Sequence, residues 1–509
     1  MFKKSKKVLA ALTALLLALS IAACGGGGGG TTEQPATEPA AEQPAPAPTE
    51  EQPATTEPAT EEPATEEPAV ETPPAELTRH EKIPERDLGG QEIIIGNWWG
   101  DWDANTYEPT GAADEASTDW RLQIQSDHNF TMMEKNVAGW GEMQELAATS
   151  ILAGDPLADV ILLEPRWFTA MYNQGLLAPL NVESVDITSN EFADWNQATI
   201  EACTFGGLPY GFSFGFSLSA GGPSGIYYNK RLFEEAGLDP DLPYNMQAEG
   251  TWTWENYIEL CSQLTRDINN DGIMDTYAIV PYHDKVIGSL LTSNNAMFIG
   301  KDAEGKFTNA TGTPEFLEGL QFSMRLFTEG YLMPQPEGSQ WNWFNDAFQQ
   351  GQGAMFFGEI YMRTESFLSQ NPDDIGFVTV PVGPKGTLFG YAHKDNVHVI
   401  PATKSAEEVD DIMFATQLWY MPAPGYDDPE AWKSASYNLY SDSRAVDETL
   451  QNMRASTDIL NNYTAYIPRA DFIGDITWNL WFEDVDPATL IESVQQSWNS
   501  IVDETNAIE

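Results

Sequence analysis

Residues 225–238 read GIYYNKRLFEEAGL, residues 251–265 read TWTWENYIELCSQLT, and residues 267–277 read DINNDGIMDTY. The first segment starts with a β-favouring run, and Asn229 can cap the helix that follows it. In the second segment, Thr253 can cap a helix whose apolar residues recur at helical spacing. The third segment is short, polar and rich in aspartate. The stretch therefore predicts a strand, two amphipathic helices and a candidate metal loop.

Residues 225–238 resemble the YYNK.LF..AGL segment of the extracellular solute-binding proteins of ABC importers, in the large family that binds carbohydrates. Residues 171–180 (MYNQGLLAPL) and 344–361 (FNDAFQQGQGAMFFGEIY) resemble two further segments of that family. The resemblance extends from about residue 90 to the C-terminus. It implies a two-lobed α/β fold of the periplasmic-binding-protein type (type II). Each lobe would be a mostly parallel sheet flanked by helices, with several chain crossings at the hinge.

The resemblance also suggests how the chain divides between the lobes. The solute-binding domain is expected over residues 78–509. The first lobe would take about 90–215 and 388–440, and the second about 216–387 and 441–509. A first crossing is expected near residues 216–225, in a glycine-rich passage.

The N-terminal residues 1–23 have the features of a secretory signal, because four lysines precede an apolar run. The run ends in Ile-Ala-Ala-Cys at 21–24, which resembles the bacterial lipobox, although leucine is commoner than Ile21. The resemblance implies cleavage before Cys24 and lipidation of that residue. The alternative is an uncleaved anchor, for which the apolar run is short. Both readings place the rest of the chain outside the cytoplasm.

Residues 24–77 are of low complexity, first glycine and then Pro, Ala, Thr and Glu without lysine or arginine. Such a segment cannot bury a core, so we expect a disordered stalk. The whole chain has a formal net charge of −52, which disfavours nucleic acid and anionic lipid as partners. The charge is interpreted as a solubilising surface, or alternatively as a means of attracting cationic ligands.

Aromatic residues follow the buried strand predicted at residues 93–95. Trp98, Trp99 and Trp102 flank Asp101 there, and in open α/β sheets ligands bind beyond the carboxyl ends of strands. Aromatic faces can stack on sugar rings while carboxylates bond hydroxyls. These four residues are predicted ligand contacts, with core filling as the alternative for individual tryptophans.

Further ligand contacts are implied by the resemblance at the ends of other segments. A structural ion pair is an equal alternative for Arg166, and simple burial is one for Glu359 and Tyr361. The full set implied in this way is Glu164, Arg166, Trp167, Glu359, Tyr361, Trp478 and Trp481.

The aspartate-rich loop matches most of an EF-hand loop. Position twelve holds Ala278 instead of a bidentate glutamate, so a remote carboxylate or water would have to complete the site. We expect structural calcium here, against the alternative of an empty Asx-rich turn. The predicted ligands are Asp267, Asn269, Asp271, Ile273 (through its carbonyl) and Asp275.

Two cysteines fall in the folded part, Cys203 and Cys261, and either free buried thiols or a disulfide is compatible with their positions.

A helix is predicted over residues 140–152, with Trp140 on its apolar face.

The sequence favours a binding protein over an enzyme. The five histidines are scattered, and none of them forms a metal or protease spacing. The function implied by the resemblance is a monomeric, lipid-anchored substrate-binding protein on the extracellular face of the membrane. It would bind a carbohydrate, expected to be an oligosaccharide, in a cleft between the lobes and deliver it to an ABC permease. No cofactor for chemistry is expected. An extracellular carbohydrate-active hydrolase or lyase is one alternative, and a ligand-sensing receptor for a signalling kinase is another.

Overall fold

The structure is a computed structural model that describes residues 77–216, 222–468, 472–483 and 485–507. The expected signal, Cys24 and nearly all of the stalk lie outside the described residues, as does the middle of the expected first crossing. Within the described part, no helix combines the length and the apolar character that crossing a bilayer requires.

The strands, in chain order, are β1 Gln91–Asn97, β2 Phe130–Asn136, β3 Val160–Leu163, β4 Thr204–Phe205, β5 Leu208–Pro209, β6 Ser224–Asn229, β7 Tyr277–Val280, β8 Ile299–Lys301, β9 Phe307–Asn309, β10 Gly353–Glu359, β11 Ile375–Thr379, β12 Tyr391–His393, β13 Val397–Val399 and β14 Ile459–Asn461.

The α-helices are α1 Ala112–Asp127, α2 Met143–Leu152, α3 Pro165–Asn173, α4 Gln197–Ala202, α5 Lys230–Glu235, α6 Leu242–Ala248, α7 Trp254–Leu264, α8 His283–Ser293, α9 Pro314–Thr328, α10 Trp343–Gln349, α11 Ser366–Ser369, α12 Ala406–Trp419, α13 Trp432–Tyr437, α14 Gln451–Ala455, α15 Phe472–Trp481 and α16 Pro487–Asn506. Two 3-10 helices, Ile360–Thr364 and Tyr463–Tyr466, and a π-helix, Ala445–Leu450, complete the description.

Two four-stranded sheets form the centres of the two lobes. The first lobe is built around the sheet β13-β3-β1-β2, and the second around the sheet β11-β6-β10-β7. Strand β1 pairs in parallel with both β2 and β3. Strand β10 is buried along its whole length, as expected for a strand covered on both faces. The predicted two-lobed α/β architecture is therefore confirmed.

The expectation that each sheet is mostly parallel is wrong for the second lobe. There β6 runs antiparallel to both neighbours, and only β10 and β7 pair in parallel. In this antiparallel register, Ser224 at the start of β6 lies opposite Glu359 at the end of β10. The direction of β6 follows from where the chain enters the lobe. A strand that enters a lobe from a crossing begins at the edge where the other strands end. Strand β13 is antiparallel to β3 for the same reason, with Val397 opposite Leu163.

Several local predictions are confirmed. Asn229 accepts a hydrogen bond from the Leu232 backbone N–H, and Thr253 accepts one from Asn256, so each side chain satisfies an otherwise unpaired donor at a helix start. Cys203 and Cys261 are both buried and free. Burial raises the pKa of the Cys203 thiol to about 12, as expected for an inert core cysteine.

The helix expected from residue 140 begins later, at Met143. Trp140 precedes it in a turn and is 49 % exposed. It lies between Gly139 and Gly141, and glycine lowers the stability of a helix, so the helical spacing does not extend this far. Trp140 is consequently free to take part in the site described below.

Candidate functional site

A cavity of about 570 Å³ lies where the strands of both lobes start or end. Glu164 and Arg166 line it directly after β3, and Lys394 lines it three residues before β13. Glu359, the last residue of β10, and Lys285, in the first turn of α8, come from the second lobe. The volume is in the range of small-molecule binding sites. Charged side chains from both lobes therefore meet in one cavity.

On the first lobe, the chain leaves β3 and immediately starts α3 at Pro165, a residue that suits the first position of a helix. Glu164 and Arg166 flank this proline, and their side chains form an ion pair of 3.0 Å. The Trp140 indole N–H donates to the Glu164 carboxylate at 2.8 Å, and the Arg166 guanidinium lies 5.2 Å from the Trp140 ring centre. Trp140 thus orients both charged groups at the cavity.

On the second lobe, the Lys285 ammonium lies 2.6 Å from the Glu359 carboxylate. Glu359 is only 2 % exposed, and a carboxylate so deeply buried requires a partner. Tyr282, the N-cap residue of α8, also lines the cavity, and the ammonium of Lys285 lies 5.7 Å from its ring centre. An aromatic ring and a charged pair are therefore adjacent on this wall.

Lys394 interacts electrostatically with both pairs. Burial lowers the pKa of its ammonium group. The carboxylates of Glu164 and Glu359 oppose that change, while the nearby cations Lys285 and Arg166 reinforce it. The lysine is thus within electrostatic range of charged groups from each lobe, although they are far apart in the sequence.

Three of the predicted ligand contacts, Glu164, Arg166 and Glu359, line this cavity. A tryptophan cluster lies behind the first two, with ring centres 5.4 Å apart for Trp98 and Trp167 and 5.1 Å for Trp98 and Trp99. Trp167 is buried, whereas Trp99 is 56 % exposed. Trp167 therefore supports the site from within the lobe, and Trp99 offers a face to solvent.

One of the predicted contacts is corrected. Trp481 is 1 % exposed and packs against His283, which leaves it no surface for a ligand, so it is a core residue. Trp102 is partly buried: the Arg121 guanidinium lies 4.5 Å from its ring centre, and the Trp419 ring meets it edge-on at 5.4 Å. Its role as a contact stays a prediction.

The structure does not bring the remaining predicted contacts to the described wall of the cavity. Asp101 accepts a hydrogen bond from the Asn136 backbone, and exposed Trp478 stacks on Phe482. Tyr361 follows Glu359 in a 3-10 helix, and burial chiefly raises the pKa of its phenol to about 12. Their roles as contacts stay predictions.

Sequence reasoning missed four residues at the site. The helical spacing places Trp140 on a helix face, although its flanking glycines indicate a turn. Tyr282 and Lys285 follow the carboxyl end of β7, so the rule applied to β1 would also have found them. Lys394 lies in a segment with no local pattern, and only the fold brings it to the cavity.

The carboxylates of the aspartate-rich loop accept hydrogen bonds from backbone N–H groups of the same loop. Asp267 accepts from the N–H groups of Asp271 and Gly272, and Asp275 accepts from Ile268. Gly272 has φ +86, which glycine adopts without strain. Across the described residues, no three His, Cys, Asp or Glu side chains are grouped as a metal site. The carboxylates do not converge in this arrangement, so calcium binding stays a prediction.

Comparison with known proteins agrees with this architecture. The model of the bacterial extracellular solute-binding protein family matches residues 135–437. A binding protein of Brucella abortus (strain 2308) is 24 % identical over 284 residues, which are 53 % of this chain and 61 % of that protein. The chain thus spans about three fifths of the length of the curated relatives it matches.

Solved structures resemble the fold over most of the chain. The cyclic alpha-maltosyl-1,6-maltose binding protein from Arthrobacter globiformis has a TM-score of 0.58 at 17 % identity, and covers 82 % of this chain and 100 % of its own. UgpB from Mycobacterium tuberculosis, in complex with glycerophosphocholine, has a TM-score of 0.52 at 16 % identity, with 82 % and 100 % covered. At these identities the likeness concerns the fold alone. The match over more than half of the sequence shows that the chain belongs to the bacterial extracellular solute-binding protein family.

Proposed function

We propose that this protein is the extracellular substrate-binding component of an ABC importer and that it binds a carbohydrate in the cavity between its lobes. The observation that carries the proposal is the cavity itself, to which each lobe contributes one acid–base pair. Glu164 with Arg166 comes from the first lobe, and Glu359 with Lys285 from the second.

The chemistry of the wall suits a polyhydroxylated ligand. Each pair offers a charged donor and a charged acceptor, and a sugar hydroxyl can both donate and accept. The acids Glu164, Asp284 and Glu359 are matched in number by Arg166, Lys285 and Lys394 among the described lining residues, which favours a neutral solute over an ion. The aromatic side chains Tyr282 and Trp140 can cover apolar sugar faces. The sugar-binding relative in Arthrobacter is compatible with this class of ligand.

Binding of ligand to both walls would favour closure of the lobes, because only the closed state lets one solute contact both pairs. The permease would then recognise the closed form. We further propose cleavage before Cys24, lipidation at that residue, and a monomeric receptor held outside the cell by the stalk.

A second candidate function, glycoside hydrolysis, is favoured by one observation: Glu164 and Glu359 face the same cavity, and glycosidases use two carboxylates. Both carboxylates are ion-paired to cations, an arrangement that serves binding better than proton transfer.

The test is thermal denaturation of the purified protein against mono- and oligosaccharides, amino acids, polyamines and glycerophosphodiesters, with chromatography of the sugars after incubation. Ligand at about a hundredfold over its dissociation constant adds about 2.7 kcal/mol of stability. We expect stabilisation by one glycan class without new sugar products. Cleaved sugar would favour the hydrolase, and stabilisation by polyamines or glycerophosphodiesters alone would overturn the carbohydrate assignment.

A further inference from the structure

Helix α8 forms one side of the cavity along its whole length. The lining residues on this helix recur at helical spacing, from Lys285 in the first turn through Gly288 and Ser289 to Thr292 and Ser293 at the end. The helix has 11 residues and is therefore about 16 Å long. The cavity is thus elongated, and its two ends can be compared by position along α8.

The charged side chains of the cavity gather at the end beside the first turn of α8. Asp284 and Lys285 belong to that turn, and Glu359 is paired with Lys285. Lys394 interacts electrostatically with Lys285 and with both ion pairs. These groups account for every charged residue among the described lining residues, namely Glu164, Arg166, Asp284, Lys285, Glu359 and Lys394.

The other end of the cavity is apolar, and we call it the inner arm. It follows the last turns of α8 and the residues after them, and its lining side chains are Leu291, Ala296, Met297, Phe298 and Ile473.

The hydroxyl groups beside the inner arm already have protein partners. Ser293 accepts from the Trp254 indole N–H and donates to the Leu290 carbonyl, each at 3.1 Å, and Thr292 donates to the Gly288 carbonyl at 3.0 Å. A sugar hydroxyl buried without a partner costs free energy, whereas an alkyl or aryl group gains free energy on leaving water. The inner arm therefore suits an apolar group better than another sugar unit.

Gly288 keeps the inner arm wide. It lies in the interior of α8 and is not among the glycines with positive φ, so the backbone does not require glycine there, and glycine lowers helix stability relative to alanine. Outside its own helix backbone, a Cβ at this position would have one neighbour within 4 Å, the Cδ1 atom of Ile473 at 3.4 Å. The space that a side chain would occupy is therefore open to the cavity.

The inner arm continues past Met297. A second cavity of about 330 Å³ shares Ala296 and Met297 with the first, and Ile459 and Leu460 line it further on. A methionine side chain is unbranched and adaptable, so it can move aside for a chain that extends from one cavity into the other.

From this geometry we infer that the solute is a glycoside with an apolar aglycone, an alkyl or aryl group that lies in the inner arm along α8 while the sugar lies between the charged pairs. The inference rests on the proposed function and specifies the chemical class of its ligand. The charged end holds the sugar, and the inner arm selects glycosides over free sugars.

The test is calorimetric titration with the methyl, butyl, hexyl and phenyl glycosides of glucose, galactose, mannose and maltose, all below their micellar concentrations. For a sugar that binds, wild-type affinity should increase about fourfold for each methylene that enters the inner arm. Gly288→Leu fills the arm and should lower the ratio of hexyl to methyl affinity about tenfold or more. Gly288→Ala, which adds only a Cβ, should lower the ratio less.

The matched control is Gln321→Leu, which places a leucine at an exposed position of the neighbouring helix α9, away from the cavity lining. It should keep the wild-type ratio. A neutral aromatic dye, N-phenyl-1-naphthylamine, tests the inner arm without a sugar, because its fluorescence increases in apolar surroundings. The wild-type protein and the control should bind the dye equally, Gly288→Leu should bind it about tenfold more weakly, and hexyl glycoside should displace it.

The outcomes separate this inference from the function on which it rests. If the wild-type protein binds methyl and hexyl glycosides equally well, the inner arm is overturned and the carbohydrate assignment stands. An equal loss of both in Gly288→Leu, or dye binding that this variant leaves unchanged, would also overturn the inner arm. If no glycoside of any series binds, the carbohydrate assignment fails and the glycoside inference fails with it, whatever the dye does.

Discussion

The ion pair between Lys285 and Glu359 is the most deeply buried acid–base contact at the site, with side chains 25 % and 3 % exposed. Removing one partner of such a pair leaves the other charge less well compensated in a poorly solvated place. Lys285→Met is therefore expected to lower the free energy of unfolding of the ligand-free protein by roughly 3 kcal/mol. Urea denaturation at pH 7 measures the change.

The double variant Lys285→Met with Glu359→Gln supplies the control for this prediction. It removes the buried charge as well as its partner, so most of the lost stability should return. If the double variant is as unstable as Lys285→Met alone, then packing of the lysine stem, and not the charge, accounts for the effect.

Burial of His393 makes the stability of the folded protein depend on pH. Its ring is buried, its Nε2 lies 2.8 Å from the Thr199 hydroxyl, and burial lowers the pKa of the imidazole to about 4. The unfolded chain takes up this proton near pH 6.5, whereas the folded protein resists it down to about pH 4. The contribution of the neutral ring to the free energy of unfolding is thus fully present above pH 6.5. It decreases by about 3 kcal/mol as the pH falls from 6.5 to 4.

His393→Gln keeps a polar group for Thr199 but cannot titrate. Urea midpoints measured from pH 7 to pH 4 should therefore fall less steeply in the variant than in the wild-type protein. His398 and His283 also have pKa values lowered to about 4 by burial and continue to titrate in both proteins. Parallel curves for the two proteins would contradict the assignment to His393.

Among the larger elements, the loop between α7 and β7 carries the calcium prediction. Its carboxylates accept hydrogen bonds from backbone N–H groups. To bind calcium, these carboxylates would have to move closer together around the ion. We expect calcium to raise the melting temperature relative to chelator, and Asp271→Ala to abolish that difference.

Asp302→Ala is the matched control for the loop. Asp302 caps the turn between β8 and β9 by accepting from the N–H groups of Glu304 and Lys306, and it lies outside the predicted calcium ligands. The variant should keep the calcium effect. Identical melting of the wild-type protein with and without chelator would reject a calcium site and leave an Asx-rich turn.

The elements differ in how far the sequence determines them. Helix starts at Asn229 and Thr253 are local events, since each side chain bonds a backbone group three residues away, and both were predictable. The direction of β6 was not, because it depends on where the chain enters the lobe. Trp478 and Trp481 illustrate the same limit: only tertiary packing determines that the second is buried and the first exposed.

At the scale of the whole molecule, the site is assembled from segments distant in sequence. Glu164 and Glu359 were predictable because the first follows β3 and the second ends β10, two buried strands that the family resemblance marks. Lys394 lies between β12 and β13, where no pattern in the sequence indicates a ligand contact. The formal charge of −52 likewise gives no hint that three cationic side chains line one cavity.

The proposed function requires that a glycan binds between the lobes and contacts both charged pairs. The most direct measurement is calorimetric titration of the glycan found by the thermal panel into the wild-type protein, Arg166→Ala and a Tyr426→Ala control, which removes an exposed aromatic side chain. We expect at least tenfold weaker binding to Arg166→Ala, because a charged hydrogen bond is worth about 1.5–3 kcal/mol, and unchanged binding to the control. Equal affinity of all three proteins would contradict the proposed function and place the ligand elsewhere on the molecule.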